Sequence, residues 1–156
     1  MRLTKIERRW LRALYEGFAP PAERGYTADG EGLAPKPGEV DHAAAFERLN
    51  GHASPLAQLG LRAAVWLLGS APLWTRRRLA GIDGLPVEER VALLEDLARH
   101  RSALVRELTW LMKVQASMSL FGNAEIRRRS RYDEGREEGM PVRLKALRRG
   151  KLVEVA

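Results

Sequence analysis

The chain has 156 residues, no cysteine and a formal net charge of +7, with a pI near 10.3. The missing thiols exclude disulfides, thiolate metal sites and cysteine nucleophiles, while an apolar fraction of 45% at this length suffices for one packed core. The positive surplus attracts acidic partners, whether nucleic acid, anionic lipid or protein, without choosing among them.

In chain order, Leu3, Ile6, Trp10, Leu14 and Phe18 recur at steps of three and four and predict an amphipathic helix, ended by Pro20-Pro21. Arg12 and Glu16 interrupt any apolar run behind Arg8-Arg9, so neither a Sec nor a twin-arginine export signal is read here. The stretch "AERGYTADGEGLAPKPGEV" is rich in Gly and Pro and lacks periodicity, which predicts a long loop over residues 19–40. Asp41 is placed to N-cap a short helix through Leu49, with Asn50-Gly51 as its stop.

Ser54 before Pro55 signals the next helix, Pro55 to Leu68, which is apolar nearly all round. Such a helix belongs at the centre of a bundle or under a partner. The longest apolar run, "PLAQLGLRAAVWLLGSAPLW", is broken by Arg62, Gly69 and Pro72, leaving about 15 residues where a membrane span needs about 20. A cytoplasmic location is therefore expected. Pro72 predicts a further short helix, "PLWTRRRLAG", stopped by Gly81. Pro86 and two first-turn glutamates open a helix whose stripe is Val87, Val91, Leu94 and Leu97 or Ala98.

A last long helix is predicted from about Ser102 to Leu120. On it Leu104, Leu108, Leu111, Gln115 and Met118 share one face, and Arg106, Trp110, Lys113 and Ser117 another. Beyond it, Pro141 and Gly150 bracket a short basic helix, and "KLVEVA" alternates weakly, as a flexible tail or a strand added to a partner's sheet would. The fold class is all-α, an irregular helical bundle with a long Gly/Pro-rich loop after the first helix and a basic tail. The division expected is a helical domain over residues 1–133 and a tail over 134–156.

No motif supplies an active site. The three histidines, His42, His52 and His100, have no metal-ligand spacing, and a structural or solvent role suits each. "DGEG" and "GIDG" lack the offsets and preceding strand of a phosphate loop. Arg127, Arg128, Arg129 and Arg131 on a helix spread over about 200° of its circumference, so they cannot enter one groove together. Asp133, Glu134, Glu137 and Glu138 offer them internal counter-charges. An internally paired surface, an acidic protein surface and nucleic acid all remain readings of that cluster. Trp10 falls on a buried stripe; Trp66, Trp74 and Trp110 suit either core packing or an interface.

The segment "SLFGNAEIRRRSRYD" resembles the closing signature of the small-subunit family typified by gluconate 2-dehydrogenase subunit 3. That signature is a long helix ending in two aromatics, a short turn, Pro-Glu-Val opening a helix, then Gly-Tyr-Asp. Here Leu120-Phe121, Gly122-Asn123, Ala124-Glu125-Ile126 and Arg131-Tyr132-Asp133 stand in those places. Ala124 replaces the proline at a position whose N–H is unpaired, and Arg131 replaces the glycine. "LTKIERRWLRALYEGFAP", "LPVEERVALLEDLARH" and "VRELTWLMKVQASMSLF" are similar to the family's earlier helices, extending the likeness over roughly residues 3 to 133.

The resemblance implies a non-catalytic accessory subunit that binds a separate GMC-type (glucose–methanol–choline) flavoprotein large subunit. FAD and the hydride chemistry would reside in that partner, with no cofactor, metal or catalytic residue in this chain. The missing export signal matches the family's intracellular versions. The residues expected at the interface are Trp66, Trp74, Trp110, Phe121, Arg127, Arg128, Arg129 and Tyr132. Two rival classes follow from the charge alone: a basic nucleic-acid-binding helical module, and a peripheral membrane-associated protein.

Overall fold

The computed structural model describes residues 1–18, 35, 38–130, 145–148 and 151–154. The elements are α1 (Lys5–Phe18), α2 (His42–Leu49), α3 (Pro55–Gly69), α4 (Ala71–Thr75), a 3-10 turn (Ile82–Gly84), α5 (Val87–Ala98), α6 (Ala103–Phe121) and α7 (Ala124–Arg129). A strand pair, β1 (Lys145–Arg148) and β2 (Lys151–Glu154), follows. Most of the expected 19–40 loop, residues 131–144, and with them Tyr132 and the proposed counter-charges, lie outside the described residues.

The helix starts follow from local chemistry. Asp41 Oδ1 accepts the Ala44 amide at 3.0 Å, and Ser54 Oγ accepts that of Ala57 at 3.3 Å. Asn123 Oδ1 accepts from Glu125 and Ile126 at 2.9 and 3.4 Å. Each side chain satisfies amides that the first helical turn leaves without partners. At α1 the pattern is reciprocal: Glu7 N–H donates to Thr4 Oγ1 and Thr4 N–H to Glu7 Oε2. That is a capping box, which fixes where α1 begins.

The hub of the bundle is α1, not α3. It touches α2, α3, α5, α6 and the 3-10 turn, burying Trp10, Leu11, Leu14 and Tyr15. Around it close Phe46 from α2, Val65 and Leu68 from α3, Ile82 from the 3-10 turn, Leu93 and Leu97 from α5, and Met112 from α6. The Trp10 indole lies against the backbone at Gly69 and Gly81. A Cβ on Gly69 would fall 2.6 Å from Trp10 Cδ2, so only glycine admits this approach.

Four expectations need correction. First, of the two places expected for α3, the bundle centre is set aside: the helix buries Leu61, Ala64, Val65 and Leu68 on one side and leaves its other side outward. Second, the helix expected from Pro72 to Gly81 ends at Thr75, because Arg77 takes a left-handed φ of 51°. Third, the face of α6 that enters the core is Val105, Thr109, Met112, Ala116, Ser119 and Leu120, neither of the two faces singled out above. Small side chains there let α6 approach its neighbours closely, and Thr109 Oγ1 donates to Val105 O at 2.7 Å, so its hydroxyl needs no partner outside the helix. Fourth, the residues expected as a helix from Pro141 to Gly150 contain β1, which pairs antiparallel with β2 in the register Leu147↔Leu152. The alternation of "KLVEVA" is therefore strand-like, but its described part pairs within the chain.

A candidate interaction surface

Helix α6 is apolar on both sides. Its residues advance roughly 100° per step, so Leu104, Leu111, Val114, Met118 and Phe121 line a stripe almost opposite the buried one. Leu104 is 65% exposed, Val114 and Met118 about half, and Leu111 and Phe121 about two-fifths, with Glu107 the single charge in the stripe. Trp110 borders it, also about half exposed, with Lys113 Nζ standing 5.0 Å from its ring centroid. Helix α3 repeats the arrangement: Leu56 and Leu59 are 79% and 65% exposed, and Ala63 and Trp66 continue the same side.

Trp66 is the most firmly held of the exposed tryptophans. Its Nε1 donates to Glu7 Oε1 at 3.0 Å, and its ring meets Trp10 edge-on at 4.9 Å. Glu7, 2% exposed, also accepts Arg62 Nε and Nη2 at 2.9 and 2.8 Å and the Thr4 amide at 2.6 Å. The Arg62 hydrogen bonds hold the carboxyl down at about 2, outweighing burial, which acts the other way; the Thr4 and Trp66 donors add to the effect. Glu7 in turn raises the Arg62 guanidinium.

Trp74, on α4, donates Nε1 to Leu67 O at 3.3 Å and meets His100 edge-on, beside a cleft of about 380 Å³ also lined by Leu93, Asp96 and Leu97. A second cleft, about 330 Å³, lies between α2 and the end of α6, where Asp41, Arg48, Met118 and Asn123 converge. Phe121 reaches the surface at the end of α6.

The three arginines of α7 do not act together. Arg129 Nη2 donates to both oxygens of Glu39 at 2.8 Å, with 11% of its side chain exposed, so it fastens α7 to the segment before α2. Arg128 turns to Glu125 at 2.6 Å, and Arg127 occupies a further direction. The chain thus gathers Trp66, Trp110 and Phe121 onto outward apolar faces, puts Trp74 at another corner and spends Arg129 internally.

The histidines are dispersed. His42 is buried, its Nδ1 3.1 Å from Ser119 Oγ and its ring edge-on to Tyr15; burial lowers its proton affinity. His100 Nδ1 accepts the Ser102 amide, and His52 is exposed. Burial also raises the Tyr15 phenol, whose Oη has no hydrogen-bond partner. Among the described residues no three His, Asp or Glu side chains group as metal ligands, and no helix is long and apolar enough to cross a membrane.

Sequence reasoning overlooked Glu7 and, although it grouped Leu104, Leu111 and Met118 on one face of α6, did not identify which side of that helix is buried. The Thr-x-x-Glu spacing of Thr4 and Glu7 signalled the first; apolar residues on more than one side signalled the second. Comparison with protein-family models, curated proteins and solved structures found no match to this chain.

Proposed function

We propose that the chain is a non-catalytic accessory subunit that binds and stabilises a separate FAD-dependent, GMC-type dehydrogenase or oxidase. The observation that carries this reading is the second apolar side of α6. Leu104, Leu111, Val114, Met118 and Phe121 stand outward opposite the core-facing stripe, and α3 adds Leu56, Leu59 and Trp66. Covering a half-exposed leucine or methionine yields on the order of 1 kcal/mol, so a partner seated on α6 gains several. Binding of that size stabilises both chains by mass action. The flavoprotein identity of the partner rests on the resemblance of the α6–α7 segment and the earlier helices.

The nucleic-acid alternative is less well supported, because five arginines among the described residues are spread over α1, α3, α5 and α7 and are paired with carboxylates. Arg8 pairs with Glu47, Arg9 with Asp83, Arg62 with Glu7, Arg90 with Glu16 and Arg129 with Glu39. A phosphate track needs such side chains free and aligned.

The test is co-purification. The tagged chain is expressed with each GMC-type flavoprotein of its own genome, and the eluate is read for flavin absorbance in proportion to the chain. One such pair is expected to elute together and to be more soluble than either member alone. A stable, soluble chain that retains none of them contradicts the proposal.

A further inference from the structure

A different corner of the molecule carries a second binding feature, independent of the subunit reading. Helix α4 ends in a tip, Arg76–Ala80, whose carbonyl acceptor Pro72 O receives both the Arg76 and the Arg78 amides at 3.1 Å. The tip therefore folds back onto the start of α4 at Pro72, and Leu73 and Trp74 of that helix are each about two-fifths exposed. Leu79 is 99% exposed, the least covered apolar side chain among the described residues. It has no side chain around it and serves no packing.

Three consecutive arginines precede it. Arg78 reaches Glu89 at 2.6 Å, and Arg76 sits 3.8 Å from Glu89 and 3.6 Å from Asp96. Arg77 has no carboxylate partner among the described residues, and it occupies the left-handed region, φ 51°, where glycine is the usual occupant. The left-handed backbone at Arg77 ends α4 and carries strain that a glycine there would not.

We infer that the Leu73–Leu79 tip is a docking surface for an anionic lipid bilayer. Leu79 would enter the boundary between headgroups and acyl chains, Trp74 and Leu73 would lie at headgroup level, and Arg77 would meet lipid phosphate. The charge supplies the complementarity: a +7 chain presents, two residues before an apolar knob, a cation without a carboxylate partner among the described residues. A bilayer also accepts a lone projecting leucine without a matching pocket, which a folded polypeptide would need. With one leucine and one tryptophan at the tip, binding is reversible and sensitive to salt.

The experiment is co-sedimentation of the full chain with phosphatidylcholine vesicles with and without phosphatidylglycerol, at low and high ionic strength. Binding is expected only with phosphatidylglycerol and only at low salt. Leu79→Glu, whose parent side chain touches nothing, should keep the wild-type Tm and lower the vesicle partition coefficient about tenfold or more. Arg77→Gly should raise Tm by releasing the left-handed residue, yet lower partitioning about fivefold. No sedimentation of the wild type overturns the proposal. So does sedimentation that Leu79→Glu leaves unchanged, since another surface then binds lipid. If wild type stays in the supernatant but Leu79→Glu abolishes capture of a flavoprotein, the tip belongs to a polypeptide interface instead.

Discussion

Replacing Glu7 by glutamine tests the buried cluster that links α1 to α3. The carboxyl is 2% exposed and lies at about 2 instead of its ordinary 4.5, held there chiefly by Arg62. That difference, at about 1.4 kcal/mol per pH unit, corresponds to about 3 kcal/mol of stability from the ionised form. The Arg62 side chain is 37% exposed and partly screened by solvent, so about 2 kcal/mol is the figure to expect at neutral pH. Because the folded state depresses the proton affinity, the contribution is complete above about 4.5 and declines as the pH falls toward 2. Urea unfolding of wild type and Glu7→Gln across pH 7 to 3, followed by far-UV circular dichroism, reads the gap in midpoint directly. Glutamine retains an oxygen for Trp66 or Thr4 and does not titrate, so the gap should be widest at neutral pH and narrow below the ordinary carboxyl range. A gap that is absent at pH 7, or equally wide at pH 3, would refute the assignment of Arg62 as the main cause.

Three other substitutions probe separate links. Gly69→Ala places a Cβ into the Trp10 indole and should cost about 1–3 kcal/mol in chemical denaturation, while Gly60→Ala, with open space around it, should stabilise α3 by about 0.5–1 kcal/mol. Equal effects at the two glycines would mean that Trp10 does not lie where it is described. Tyr15→Phe removes a buried Oη without a partner and should leave Tm unchanged or raised; a fall equivalent to more than about 1 kcal/mol would reveal a hydrogen bond to that oxygen. Arg129→Ala breaks the only described tie from Arg129 to Glu39 and should cost about 1–2 kcal/mol, with faster amide exchange confined to α7. Exchange accelerated uniformly through the bundle would show that α7 is not a separable unit.

What the sequence made legible was mostly local. Asp41, Ser54 and Asn123 are short polar side chains just before helical runs, and each caps the turn that follows without help from distant residues. Less legible was which side of a helix faces inward. Both sides of α6 carry apolar residues, and the buried one includes Thr109 and Ser119, whose hydroxyls find acceptors or partners in Val105 and His42. Hydrophobicity alone ranks the outer stripe at least as high. Glu7 is the clearer case. Its spacing from Thr4 is readable, but its burial depends on Arg62 and Trp66, 55 and 59 residues onward, which no local pattern announces. The candidate surface was legible in its tryptophans and Phe121, whereas the internal engagement of Arg129 required the distant Glu39.

The claim that the outer side of α6 exists to be covered is tested most directly by calorimetric titration of the chain into the flavoprotein with which it co-purifies, comparing wild type with Leu111→Glu/Met118→Glu. Leu111 is about two-fifths and Met118 about half exposed, so the double variant should unfold at the wild-type temperature. The account predicts saturable binding by wild type with a negative heat-capacity change, and affinity at least tenfold weaker for the variant. Equal affinities, with both chains folded, would contradict it.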